Sequence, residues 1–179
     1  MTQDTKDFIP LRIAVLTVSD TRSLEDDRSG SILAERLTLA GHELADRRIV
    51  ADSVAEIRRC VFGWIARPEV DVIVTTGGTG FTGRDVTPEA IEPLLEKRMD
   101  GFASLFQQLS FDKIGTSTIQ SRATGGVAGG TFIFILPGSP GACRDAWDGI
   151  LAAQLDHRHR PCNFVEIAPR LDEGMRRRG

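Results

Sequence analysis

Three nearly unbroken apolar runs constrain this chain more than any other feature. Leu11–Val18, Asp71–Thr75 and Thr131–Leu136 are rich in Val, Ile, Leu and Phe, and each gives way to a short turn of small polar residues. Such runs suit strands covered on both faces, as in a parallel sheet, better than the apolar–polar alternation of a strand with one wet face. Helical patterns lie between them. Ser29 to Ala40 sets Leu33, Leu37 and Ala40 on one side and stops at Gly41; Val54, Ile57, Val61 and Trp64 repeat at helical spacing and end before Pro68. Alternation of this kind predicts an α/β fold around a mostly parallel sheet.

Further elements follow the same logic. Glu43–Val50 is a more polar strand, expected near an edge. Ser53 and Glu56 have the Ser-x-x-Glu spacing of a capping box, Thr87-Pro88 and Ser139-Pro140 have the cap-then-proline form of a helix start, and Phe102, Leu105, Phe106 and Leu109 mark an amphipathic helix. The last helix carries Ala142, Ala146, Trp147, Ile150 and Leu151 on one face. With 179 residues and no linker, repeat or low-complexity tract, the expectation is one domain spanning 1–179, with residues 1–8 and 172–179, including Arg176–Arg178, flexible.

Composition closes off several function classes. Lys and Arg number 22 against 25 Asp and Glu, a net charge of −3, which argues against nucleic-acid binding through a basic surface. No apolar run approaches the ~18 residues of a membrane span, and Met1–Asp7 lacks the basic and apolar regions of a signal peptide. Cys60, Cys143 and Cys162 are odd in number and widely spaced, as in reduced thiols, so a cytoplasmic setting is expected; three His supply a metal site poorly. Cys60, Cys143, Trp64 and Trp147 read as core residues.

The chemistry concentrates in the turns after the apolar strands: Thr17-Val18-Ser19-Asp20, Thr75-Thr76-Gly77-Gly78-Thr79-Gly80 and Leu136-Pro137-Gly138-Ser139-Pro140. In a parallel sheet these lie on one edge, where ligands bind. Closely spaced glycines let backbone N–H groups converge on an anion, and the helix starts at Thr87 and Ser139 favour negative charge beside them. Taken singly, each turn is also ordinary strand–helix punctuation. Gly78 to Gly83 fits G-x-G-x-x-G literally, yet no helix opens within it; Arg84-Asp85 stands where a P-loop needs Lys and Ser or Thr. Both motif readings fail.

Asp20, Asp52 and Asp85 sit at strand ends or just past the glycines. Each could merely cap a turn. Together beside an anion cradle they fit a Mg²⁺ ion bridging carboxylate and phosphate. Arg22, Arg84 and Arg122 are candidate counter-charges.

Thr76-Gly77-Gly78-Thr79-Gly80, then Arg84-Asp85-Val86-Thr87-Pro88-Glu89-Ala90, then Leu136-Pro137-Gly138-Ser139-Pro140 resemble the MoaB/Mog family of molybdenum cofactor biosynthesis, related to the gephyrin G domain. Phe8-Ile9-Pro10, Gly115–Thr118 with Gln120–Ala123, and Arg160–Phe164 are similar to the MoaB branch. The resemblance covers nearly the whole chain. It implies a three-layer α/β/α sandwich, a homo-oligomer (trimer or hexamer), and adenylylation of molybdopterin by Mg·ATP with release of pyrophosphate, before a molybdenum-insertion protein acts. It assigns Asp52 and Asp85 as the catalytic, Mg²⁺-associated pair. Substrate contacts fall to Ser19, Asp20, Gly77, Gly78, Thr79, Gly80, Thr87, Ser121, Pro137, Gly138, Ser139 and Pro140. A non-catalytic molybdopterin-binding or scaffold protein is the alternative, because some MoaB-branch members lack the two acids; this chain keeps both. Another nucleotide or pterin reaction on the same fold is a third reading, since fold does not fix substrate.

Overall fold

Val, Ile and Phe alternate their two faces along β1 (Arg12–Val18), β3 (Val72–Thr76) and β6 (Thr131–Leu136), and both faces are buried. Ile13, Val15, Val72, Val74, Phe132 and Phe134 face one core; Ala14, Leu16, Ile73, Ile133 and Ile135 face the other. The computed structural model describes residues 6–173, so the Arg176–Arg178 tail lies outside the described residues. Within them, the Phe8 ring sits 5.1 Å from the His42 ring.

The sheet has six strands in the order β2-β1-β3-β6-β5-β4, with β2 (Glu43–Val50) at one edge as its polarity predicts. β2, β1, β3 and β6 are parallel. β5 (Thr124–Ala128) and the two-residue β4 (Lys97–Arg98) pair antiparallel. The first core is covered by α1 (Arg28–Leu39), α4 (Asp100–Ile114), α5 (Pro140–Ala146) with the π-helical turn Trp147–Leu151 and α6 (Ala152–Gln154) that follow it, and α7 (Phe164–Ile167). α2 (Val54–Ile65) and α3 (Thr87–Ile91) cover the second. The result is the three-layer α/β/α sandwich. Trp64 and Trp147 are buried in it, and the Trp64 indole donates to Asp46 at 2.9 Å. No described helix is long and apolar enough to cross a membrane.

Two predicted caps differ. Ser53 occupies the N-cap of α2 but its side chain makes no capping bond, and Glu56 instead pairs with Arg59 one turn on. α3 starts from Val86, because the Thr87 hydroxyl is drawn away to the Gly77 carbonyl, 2.8 Å off. Ser139 does cap α5, accepting from the Ala142 amide at 3.1 Å.

Candidate active site

Because β1, β3 and β6 run parallel and adjacent, the turns that follow them meet at one edge. Backbone bonds stitch that edge together: Ser19 N–H donates to the Val50 carbonyl at 2.9 Å and Gly77 N–H to the Leu136 carbonyl at 3.2 Å. The Thr76 hydroxyl, 2.8 Å from the Pro137 carbonyl and 3.2 Å from Cys143 Sγ, ties the second turn to the third. Gly77 is required by this packing. Its φ is +99°, and a Cβ there would lie 2.3 Å from the Val18 carbonyl oxygen. Glycine at this position first of all lets the turns close on one another.

A cavity of about 250 Å³ opens between the first and third turns, lined by Thr17, Ser19, Arg22, Arg28, Gly77 and Gly138 among others. Pro140 and Ser29 border it too, the Ser29 hydroxyl donating to the Gly138 carbonyl at 2.8 Å. Asp27, also part of the lining, was not singled out from sequence. Only 2% exposed, its carboxylate accepts from the Thr17 hydroxyl at 2.7 Å, the Gly30 amide at 2.9 Å and Arg47 at 2.9 Å. Its place immediately before α1, three residues ahead of Gly30, was the available signal.

The acids cluster on the same edge. Asp20 Oδ1 accepts from the Asp52 amide at 3.1 Å, and Asp20 is ion-paired with Arg84. That pairing, with the Asp52 amide second, lowers the Asp20 pKa. Asp85 is held by the Thr82 hydroxyl at 2.6 Å and the Thr82 amide at 2.9 Å, which also keep its carboxyl below the usual range. Asp52 differs. Burial, then the charges of Asp20 and Asp85, push its pKa up. The Asp52 carboxylate lies against Gly78, where a Cβ would stand 2.9 Å from Oδ1. Among the described residues no group of three or more His, Cys, Asp or Glu is arranged to hold a metal by protein ligands alone.

The other predicted contacts divide. Ser19, Gly77, Gly138 and Pro140 reach the cavity. Thr79 and Thr87 are buried, and the Thr87 hydroxyl is committed within the loop. Gly80 lies beside Asp85, and Pro137 offers its carbonyl to Thr76. The Ser121 hydroxyl is buried without a partner. Of the candidate counter-charges, Arg22 lines the cavity, Arg84 pairs with Asp20, and Arg122 is engaged by backbone carbonyls. Burial pushes the Cys143 thiol up to about 11, the value of an inert core group.

Comparison with known proteins bears on this geometry. A family model described as "Probable molybdopterin binding domain" matches residues 14–157. Molybdenum cofactor biosynthesis protein B of Escherichia coli strain K12 is 52% identical over 164 residues, covering 92% of this chain and 96% of that protein. The protein of the same name from Bacillus subtilis strain 168 is 40% identical over 156 residues, covering 87% and 91%. A crystal structure of a molybdenum cofactor biosynthesis protein B superposes with a TM-score of 0.83 at 38% identity, over 96% of this chain and 99% of that one. The tungsten cofactor synthesizing protein MoaB from Pyrococcus furiosus gives 0.73 at 35% identity, over 80% and 91%.

Proposed function

Because the chain belongs to the molybdopterin-binding family that includes molybdenum cofactor biosynthesis protein B, we propose that its carboxyl-edge site binds molybdopterin and adenylylates it with Mg·ATP. In this reaction an oxygen of the pterin's terminal phosphate attacks the α-phosphorus of ATP. One P–O bond forms, the bond to the β-phosphate breaks, and pyrophosphate leaves. The observation that carries the reading is Asp52, a carboxylate packed against Gly78 among the like charges of Asp20 and Asp85, on the sheet edge that also carries the cavity lined by Arg22 and Arg28.

Phosphoryl chemistry asks a protein mainly for alignment and charge neutralisation. Hard carboxylate oxygens on Asp52 and Asp85 fit Mg²⁺, which takes one or two carboxylates and completes its shell with phosphates and water. Bound there, the ion would neutralise the triphosphate and offset the charges of Asp20 and Asp85, which add to burial in raising the Asp52 pKa. Arg22, Arg28 and the Ser19 hydroxyl supply the cavity with groups that attract and orient a phosphate. Gly77, Gly138 and Pro140 give it a wall without bulk, against which a flat pterin can lie. Exposed Leu105, Phe111, Ile114 and Ile119 support the homo-oligomer in which this site would work.

A binding-only role is the second reading. It is favoured by Asp85, whose carboxylate is already gripped by Thr82 and so can serve as a loop clasp. Incubation with molybdopterin and Mg·ATP separates the two. Adenylylated pterin and pyrophosphate from the native protein, lost in Asp85→Ala, support the transferase. Pterin bound by both proteins, with product from neither, leaves the binding role.

A further inference from the structure

We propose that Arg122 is a positioning residue for the glycine-rich loop: its guanidinium gathers three backbone carbonyls of that loop and thereby sets the shape on which Asp85 is presented. Nε donates to the Thr79 carbonyl at 3.0 Å, and Nη2 donates to the Gly80 carbonyl at 2.7 Å and the Asp85 carbonyl at 3.1 Å. One side chain therefore clasps both ends of the segment 79–85. Glu89, on α3, is ion-paired with the same guanidinium. The Phe81 ring, at the tip of the loop, lies 5.3 Å from it.

The loop needs such a brace. With Gly77, Gly78, Gly80 and Gly83 in seven residues, the free segment has a large conformational entropy to lose. Within the loop the Asp85 amide donates to the Thr82 carbonyl at 3.0 Å, the Asp85 carboxylate accepts from Thr82, and Thr87 donates to the Gly77 and Gly78 carbonyls; the Thr79, Gly80 and Asp85 carbonyls are the ones Arg122 takes. Carbonyls turned inward need donors. Arg alone among side chains offers five N–H groups in a rigid plane, enough to meet three carbonyls and a carboxylate together; the Lys ammonium is a point charge on a flexible stem.

The fold delivers Arg122 by a specific device. β5 runs antiparallel to β6, with Thr124 opposite Ile135, so β5 begins at the edge where β6 ends. Arg122, two residues before β5, therefore arrives beside the turns of the parallel strands. The Gln107 side chain anchors the approach by donating to the Ser121 carbonyl at 2.8 Å. The antiparallel excursion thus brings a brace to a site built by parallel strands. Having its guanidinium occupied by carbonyls and Glu89, Arg122 acts on the reaction through the loop.

The catalytic part of this inference rests on the transferase reading; the loop part does not. The test compares the native protein with Arg122→Lys and Arg122→Ala. Hydrogen exchange of the peptide spanning 78–86, thermal unfolding, molybdopterin affinity and adenylylation kinetics are measured for each. Exchange in 78–86 is expected to quicken at least tenfold in both variants while the β1 and β6 amides stay protected. Molybdopterin affinity should change less than threefold, with kcat falling tenfold or more. Unchanged loop exchange in Arg122→Ala overturns the proposal whether or not the protein turns over. Full recovery of exchange and kcat in Arg122→Lys overturns it as well, because charge without the planar fork would then suffice. A loop loosened in the variants, together with no adenylylated pterin from the native protein, keeps Arg122 as the brace and removes the transferase reading instead.

Discussion

The two ends of the parallel strands each carry a concavity, and the two differ in charge more than in size. The carboxyl edge holds a cavity of about 250 Å³, lined by Ser19, Arg22, Arg28 and Gly77 among others, and the acids Asp20, Asp52 and Asp85; the Asp52 pKa is raised by burial and then by the charges of the other two. At the amino edge a hollow of about 330 Å³ is lined by Arg67, Pro68, Asp71, Gly129, Gly130 and Pro169, among others. There Asp71 accepts two side-chain bonds and the backbone N–H from Arg12, at 2.6 to 2.9 Å, and Arg67 pairs with Asp46 at 3.1 Å. Volume does not distinguish the two; the Asp52 charge does, being disfavoured by burial and by Asp20 and Asp85, and a substrate or cation can gain energy only where the protein has not already settled the interaction.

That contrast makes its boldest prediction for turnover. Asp52→Asn or Asp85→Ala is expected to lower adenylylation by about 100-fold or more. Asp71→Asn, at the amino edge, should leave it within twofold while costing about 1 kcal/mol of stability by urea unfolding. Equal losses from Asp71→Asn and Asp85→Ala would break the comparison.

Glycines at the two edges sharpen it. Gly77→Ala meets both a φ of +99° and a carbonyl oxygen 2.3 Å away, so a cost of about 3 kcal/mol is expected. Gly130→Ala has a φ of +82° but open space around the new Cβ, and about 1 kcal/mol should suffice. Similar midpoints for the two variants in urea would mean that the carboxyl-edge turns are not packed as tightly as described.

Near neutral pH, His42 makes stability at the amino edge sensitive to protons. His42, next to β2, accepts the Leu11 N–H on Nδ1 at 3.2 Å, and burial lowers its pKa. An imidazole harder to protonate in the folded chain than in the unfolded one gives the unfolded chain more bound protons near and below pH ~6.5. Its contribution is therefore fully present above that pH and is lost as pH falls below it. The melting temperature measured at pH 7.5 and 5.5 should drop for the native protein, and the drop should be smaller in His42→Asn.

The smallest effect tests the raised Asp52 pKa itself. Removing a charge that the folded state disfavours should raise the melting temperature slightly, by about 2 °C, in the same Asp52→Asn variant that loses turnover. A fall of several degrees would show that Asp52 is a structural carboxylate like Asp71.

Much of the frame was legible because burial on both faces leaves a plain mark. The apolar runs became β1, β3 and β6, and polar Glu43–Val50 became the edge strand β2 over the same residues. β5 was not legible: Thr124-Gly-Gly-Val-Ala has too few side chains to show a strand period, and β4 is two exposed basic residues. The site divides in the same way. Gly77, Asp52 and Asp85 stood out through local chemistry, whereas the engagement of Arg122 depends on the antiparallel return of β5, which no local pattern encodes. The capping box at Ser53 misled because other local bonds compete with it: Glu56 pairs with Arg59 three residues on, and the Ser53 N–H goes to the Ala51 carbonyl at 2.7 Å.

Molybdopterin binding and turnover, measured side by side in the native protein and in the double variant Asp52→Asn/Asp85→Asn, test the central claim most directly. The account predicts that the native protein binds molybdopterin and converts it with Mg·ATP to the adenylylated pterin. The double variant should keep affinity within about threefold, since the cavity formed by Ser19, Arg22, Gly77 and Gly138 is untouched, and make no product above background. Equal turnover in both proteins, or none in either, would contradict it.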